Sequence, residues 1–145
     1  MTIVRLADPQ DAEPLKRLND LFNGEGCNSA ENITASLLHN NQEIVCVASE
    51  GDSLVGFCCG QVFRSMCYEN HHAEITELFV REKCRRRGVG ARLMAFMEAE
   101  FCKQGIRHFQ LFTGASNTTA QAFYRSCGYR ATDEVMFRTK PPENS

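Results

Sequence analysis

A chain of 145 residues, 43% of them apolar, is long enough to bury one core and too short for two independent ones. Sixteen basic against eighteen acidic side chains leave a formal charge of -2, so the chain as a whole is no electrostatic partner for nucleic acid and any basic site must be local. No segment approaches the roughly eighteen consecutive apolar residues of a membrane span, and the N-terminus lacks the basic-then-apolar layout of a signal peptide, which predicts a soluble cytoplasmic protein with no membrane partner.

Thr2 to Ala7 alternates Ile3 against Val4 and Leu6 and predicts a first strand. Asp8-Pro9 then starts a helix in which Ala12, Leu15, Leu18, Leu21 and Phe22 recur at helical spacing, with Asn23-Gly24 as the stop. Ser29 is placed to cap a shorter second helix carrying Ile33, Leu37 and Leu38, ended by Asn40-Asn41. Ile44 to Ser49 and Leu54 to Phe63 are β-favouring runs joined by the turn Glu50-Gly51-Asp52-Ser53, so they predict an antiparallel hairpin. A third long strand is expected over His72 to Val80. Gly88 to Lys103 sets Val89, Leu93, Phe96, Met97 and Phe101 on one helical face, with Gly105 as the C-terminal stop. Ile106 to Thr113 reads as a strand, Asn117 to Cys127 as a helix closed by Gly128, and Tyr129 to Arg138 as a last strand. Residues 1–140 thus form a single mixed α/β domain, and Pro141-Pro142-Glu143-Asn144-Ser145 is expected to be a frayed tail.

The eight cysteines include no C-x-x-C pair. Cys46, Cys58, Cys102 and Cys127 stand within patterned segments, where a thiol packs as a small hydrophobe, so reduced thiols are expected. Cys67, His71 and His72 form the one candidate metal cluster and lack a fourth ligand at the usual spacing, so no metal is expected.

The chemistry concentrates in Leu78-Phe79-Val80-Arg81-Glu82-Lys83-Cys84-Arg85-Arg86-Arg87-Gly88-Val89-Gly90-Ala91: a strand, a basic turn, two spaced glycines and an amphipathic helix. Backbone N–H groups at a helix N-terminus lack intrahelical partners and carry roughly half a positive charge, so an anion there meets both donors and a favourable dipole. A P-loop would need Gly-Lys followed by Ser or Thr, and a dinucleotide fingerprint a third glycine, where Leu93 stands. Both of those nucleotide classes are excluded by the residues present.

Arg85-Arg86-Arg87-Gly88-Val89-Gly90 resembles the acetyl-CoA loop of the GNAT superfamily of N-acetyltransferases, Arg/Gln-x-x-Gly-x-Gly/Ala. Asn117, Ala120, Phe123-Tyr124 and Gly128-Tyr129 resemble that superfamily's second motif, and the likeness spans Ile3 to Arg138. It implies a central, mostly antiparallel sheet with a splayed parallel pair at the cofactor cleft and helices on both faces. It also implies acetyl-CoA as co-substrate, its diphosphate on the backbone from Arg86 to Ala91 beside Arg85, and its pantetheine arm along Leu78, Phe79 and Val80; Asn117 is either a plain N-cap or a cap that also contacts the cofactor. The residues themselves add one hint: Ile75 and Leu78 are an odd step apart, which a β-bulge near Thr76-Glu77 would repair.

An alkyl amine with a pKa near ~10 is about one part in a thousand neutral at pH 7, so acetyl transfer needs a route for its proton. Glu74 and Glu77 are the candidates, acting directly, through water, or by attracting a cationic substrate. Ala73-Glu74-Ile75 resembles the Ala-Glu-Ile of the histone-acetylating branch, whose Glu is the general base. The resemblance makes Tyr124 the proton donor to the departing thiolate. The expected function is therefore direct acetyl transfer to a primary amine of a small cationic compound, aminoglycoside- or polyamine-like, favoured by Glu25, Glu31, Glu69, Glu74, Glu77 and Asp133. The alternatives are a non-catalytic acyl-CoA sensor and an acetyltransferase of protein or peptide amines. A nucleic-acid module built on Arg85-Arg86-Arg87 would show salt-sensitive binding and ignore coenzyme A. A homodimer is compatible with the resemblance, although no unexplained apolar stripe marks an interface.

Overall fold

The computed structural model describes residues 1–141; the expected tail beyond Pro141 lies outside the described residues. Among the described residues, Met1–Phe112 form one compact unit, and residues 113–141 belong to a second. In the first, β1 (Thr2–Leu6), α1 (Ala12–Asn23), α2 (Ala30–His39), β2 (Glu43–Glu50), β3 (Ser53–Phe63), β4 (His72–Val80), α3 (Val89–Lys103) and β5 (Phe109–Leu111) follow the predicted order. The five strands lie in the order β1-β2-β3-β4-β5. All neighbours are antiparallel except β4 and β5, which run parallel.

Capping chemistry sets the helix starts. A single 3₁₀ turn, Pro9–Asp11, precedes α1: Asp8 accepts from Gln10 N–H at 2.8 Å, and Asp11 accepts from Asp8 N–H at 2.8 Å. Asp11 is buried and also receives two hydrogen bonds from Arg5, at 2.7 and 2.9 Å, which hold its carboxyl below the usual carboxylate range. Ser29 Oγ caps α2 through Asn32 N–H at 3.1 Å, as its position predicts. The C-terminus of α3 is closed where Gly105 takes a φ of 79° and Ile106 N–H returns to Phe101 C=O at 3.1 Å. Ile106 therefore belongs to the exit of α3, and β5 begins only at Phe109, a correction to the strand expected from Ile106 to Thr113.

The sheet buries both faces. Against one, Leu15 and Leu18 of α1 meet Val47, Leu54, Phe57 and Phe79, with Ile33 and Leu37 of α2 packed alongside. Against the other lies α3, whose Leu93, Met94, Met97 and Phe101 are fully buried. Helices thus cover both faces, as the resemblance implied. Cys46 and Cys58 pack as small hydrophobes, Cys127 is half-buried, and Cys102 is exposed because Phe101 takes the inward position and the next residue is turned about 100° away.

The second unit holds α4 (Thr118–Ser126), capped by Asn117 Oδ1 accepting from Ala120 N–H at 3.1 Å. The strand expected over Tyr129 to Arg138 is not formed, and Val135, Met136 and Phe137 are exposed. Alternating apolar residues supply a local preference only. A strand also needs a ladder partner, and the described residues of this unit contain no second strand.

At Gly60 on β3 the side chains of α3 press against the sheet: an added Cβ would collide with the Phe101 ring and lie 2.8 Å from Met97 Sδ. Gly60→Ala is expected to destabilise the fold by about 1–3 kcal/mol through overpacking. Urea unfolding checks this, and an unchanged midpoint contradicts the packing described.

Candidate active site

β4 positions most of the candidate residues. Glu77 faces Cys59 across the ladder to β3 and Ile75 faces Gly60, so Thr76 is an extra residue with no partner: the bulge that the odd step predicts. Thr76 Oγ1 bonds Cys59 C=O at 3.3 Å. Strict alternation would put Glu74 and Glu77 on opposite faces, and the bulge brings both to the α1–α2 side. On the other edge of β4, β5 pairs with Ala73, Glu74 and Ile75 only. Thr76 to Val80 therefore form no ladder with β5, which makes β4 and β5 a splayed parallel pair.

Glu77 lines a cavity of about 200 Å³ with Leu15, Asn19, Ile33, Leu37, Phe57 and Glu43, among others. No lysine or arginine lines it. Desolvation pushes the Glu77 carboxyl above the ordinary glutamate range. Glu43 is raised as well, first by burial and further by the Glu77 charge, against the lowering effect of the hydrogen bond from Gln61 Nε2 at 3.2 Å. Glu74 is outside the lining and accepts from Gln110 Nε2 at 3.1 Å. Register aligns Glu43, Gln61, Glu74 and Gln110 in one row across four strands, acid alternating with amide.

Glu43 was not among the acidic residues singled out from the sequence, because only the register across β3 brings it to the same wall as Glu77. Asn19 and Asn23 were missed because only the packing of α1 on the sheet brings them to the cavity. Of the predicted acidic group, Glu25, Glu31, Glu69 and Asp133 are exposed and do not line this cavity.

At the C-terminal end of β4 the basic turn folds as a single 3₁₀ turn over Glu82–Cys84, whose Cys84 is buried. Arg85 Nε donates to Val80 C=O at 2.8 Å, and its guanidinium carbon is 5.7 Å from the centre of the Phe79 ring. Arg86 has a φ of 65° and Gly88 one of 79°, so the chain reverses through two left-handed residues before α3 starts at Val89. Arg87 is taken up elsewhere, by two hydrogen bonds of 2.9 Å to Glu50, which also accepts from Thr2 Oγ1 at 2.7 Å. The first intrahelical bond of α3 is Arg92 N–H to Gly88 C=O at 3.1 Å, and Gly88 supplies no side-chain cap. The N–H groups of Val89, Gly90 and Ala91 thus precede the helical ladder, as an anion site requires.

Leu78 and Val80 are half-buried and Phe79 is buried in the α1-side core, its ring 5.2 Å from Phe22 and 6.1 Å from Phe57. In the second unit, the Tyr124 ring lies 5.3 Å from Phe123 and 6.4 Å from Tyr129. Among the described residues no group of three His, Cys, Asp or Glu side chains could hold a metal ion; Cys67 is exposed, and His72 packs on Phe63 and Tyr68 at 5.9 and 6.2 Å. No helix among them is long and apolar enough to cross a membrane.

Residues 12–129 match the family described as Acetyltransferase (GNAT) family. The chain is 27% identical over 139 residues to an uncharacterized N-acetyltransferase of Chlorobaculum tepidum, covering 96% of this chain and 82% of that protein. It is 31% identical over 74 residues to probable N-acetyltransferase 14 of Xenopus tropicalis, a match spanning 51% of this chain and 36% of that protein's length. The fold is similar to that of an aminoglycoside acetyltransferase, meta-AAC0020, from an uncultured soil metagenomic sample, with a TM-score of 0.86, 20% identity and coverage of 98% and 97% of the two chains. AAC(6')-Iy in complex with a bisubstrate analogue, CoA-S-monomethyl-acetylneamine, aligns with a TM-score of 0.84 at 20% identity over 98% of this chain and 99% of that one.

The raised Glu43 carboxyl gives a pH test. A carboxyl raised in the folded state is tolerated while protonated, and its contribution to stability is lost as pH rises through its folded pKa. Relative to the parent, Glu43→Gln is therefore expected to match in acid and to gain in denaturation midpoint as pH rises. A midpoint difference that is constant with pH would contradict this environment.

Proposed function

The chain belongs to the acetyltransferase (GNAT) family and is an N-acetyltransferase, and from that premise we propose that it moves the acetyl group of acetyl-CoA to a primary amine of a small cationic compound by direct attack. The observation that carries this reading is the cavity at Glu77: a pocket of mixed apolar and polar lining whose two charged side chains are both carboxylates. A cation entering it would find opposite charge in a partly desolvated setting, where attraction is stronger than in water. The aminoglycoside enzymes of the same fold, one of them described in complex with sisomicin, act on compounds of this chemistry.

The bound thioester supplies the acyl group and a thiol leaving group. Arg85, Gly88 and the amides from Arg86 to Ala91 hold its diphosphate at the start of α3, with Val89 and Gly90 in the first turn. Leu78, Phe79 and Val80 offer the β4 edge that β5 leaves unpaired to its amide-bearing arm. Glu77 takes the proton from the ammonium: its raised carboxyl is a better-matched base near neutral pH than an ordinary glutamate. Glu74, held by Gln110, supports that wall rather than contacting the amine. Tyr124 donates a proton to the departing sulfur, and Asn117 caps α4 beside it in sequence.

Two measurements check the reading. Purified protein given acetyl-CoA and a panel of amines is expected to release thiol with cationic amines, and Glu77→Gln and Tyr124→Phe should each lower kcat about 100-fold. Saturable acetyl-CoA binding with no turnover of any amine would replace this reading by the acyl-CoA sensor. Ala91→Asp tests the diphosphate site separately from folding. Ala91 is exposed in the first turn of α3, where a carboxylate favours the helix by about 0.3–1 kcal/mol. Unchanged or improved stability with acetyl-CoA affinity reduced by about tenfold or more is expected, and undiminished affinity would move the diphosphate elsewhere.

A further inference from the structure

We infer that Glu43 is a specificity-determining residue that binds a second ammonium group of the acceptor, so that the preferred substrate is an elongated molecule carrying at least two cationic nitrogens. The inference rests on the acetyltransferase reading above and adds to it a role that neither sequence motif touches.

Three observations support it. First, Glu43 and Glu77 line the same cavity from different strands. Glu77 stands opposite Cys59, Cys59 opposite Val45, and Glu43 is two residues along β2 from Val45. Two strand spacings and two residues of rise put their Cα atoms roughly 12 Å apart, with two side chains reaching into the interval. Two carboxylates carried into one cavity by strands two apart, with no lysine or arginine in its lining, suit two ammonium groups on one chain. Second, Glu43 is fixed rather than free to swing out: Gln61 Nε2 holds its Oε2 at 3.2 Å, and Gln61 is itself set by the ladder between β2 and β4. Third, Glu43 borders more than one space: a second cavity of about 300 Å³ shares Ser36, Leu37, Glu43 and Val45 with the first, so Glu43 lies on the wall common to both. The cation that lines this second space, Lys103, is already paired with Glu100 at 2.5 Å.

Glu77 would then meet the nitrogen that reacts, and Glu43 the nitrogen that remains charged. No bond changes at Glu43, so its effect belongs to binding and appears chiefly in KM.

The test compares a linear α,ω-diamine with the monoamine of equal chain length, in the parent and in Glu43→Gln, which keeps an oxygen for Gln61 to donate to. The parent is expected to favour the diamine in kcat/KM by about tenfold or more, the scale of a charge-assisted contact. Glu43→Gln should remove most of that preference by raising KM for the diamine, and Glu43→Asp should restore part of it. A diamine preference that survives in Glu43→Gln overturns the inference and leaves the acetyltransferase reading standing. A parent that favours neither amine overturns it in the same way. Turnover of no amine by the folded parent overturns both together.

Discussion

The unpaired residue Thr76 is the constraint on which the arrangement of this molecule depends. β4 must do three things at once: pair with β3 along its length, bury Phe79 in the core under α1, and bury Ala73 and Ile75 under α3. A regular strand meets the core demands at only one end, because residues 75 and 79 would share a face. One inserted residue reverses the phase, so Ile75 packs on one side and Phe79 on the other. The same insertion carries Glu74 and Glu77 to the α1–α2 side together. The acidic wall is therefore a consequence of how the core is phased, and removing the bulge would disturb both.

The far end of β4 is governed by a different economy. Three arginines follow one another, yet each has a separate use. Arg87 reaches β2 through Glu50, which is also tied to β1 by Thr2. Arg85 folds back on Val80 and the Phe79 ring. Arg86 adopts a left-handed conformation that costs a side-chain-bearing residue of order 1–3 kcal/mol and persists because its neighbours are anchored on both sides. The positive field at the start of α3 thus comes from the helix amides and the local cluster, within a chain whose overall charge is slightly negative.

Much of this was legible in the sequence, for reasons that can be named. Helix starts were readable at Ser29 and Asn117 because a cap is a contact between residues three apart. The bulge was readable because the odd step from Ile75 to Leu78 breaks an alternation that burial on both faces would otherwise impose. The loop from Arg85 to Gly90 was readable because it is contiguous. What failed was non-local. Tyr129 to Arg138 has the alternation of a strand without a partner among the described residues of its unit, and Ile106 has a strand-forming side chain but is spent closing α3. Glu43 escaped notice because thirty-four positions separate it from Glu77, and only the pairing of β2 with β3 and of β3 with β4 brings the two into one cavity.

Charge is graded along β4 and its continuation: carboxylates at Glu74 and Glu77, then a turn in which Arg81, Lys83 and the three arginines before α3 outnumber the single acid, Glu82. From Glu77 to the end of the strand at Val80 is three residue steps, roughly 10 Å of strand, bordered by an edge that β5 leaves open. Under the proposed reading that interval separates an amine held by anions from a diphosphate held by cations and amides. A molecule that is anionic at one end and carries its reactive group at the other fits the gradient in only one direction. Reversal would set phosphate against Glu77 and ammonium against the arginines, and like charges in a partly desolvated site repel by more than they do in water. The strand would thereby orient both substrates before any side chain takes part in the reaction.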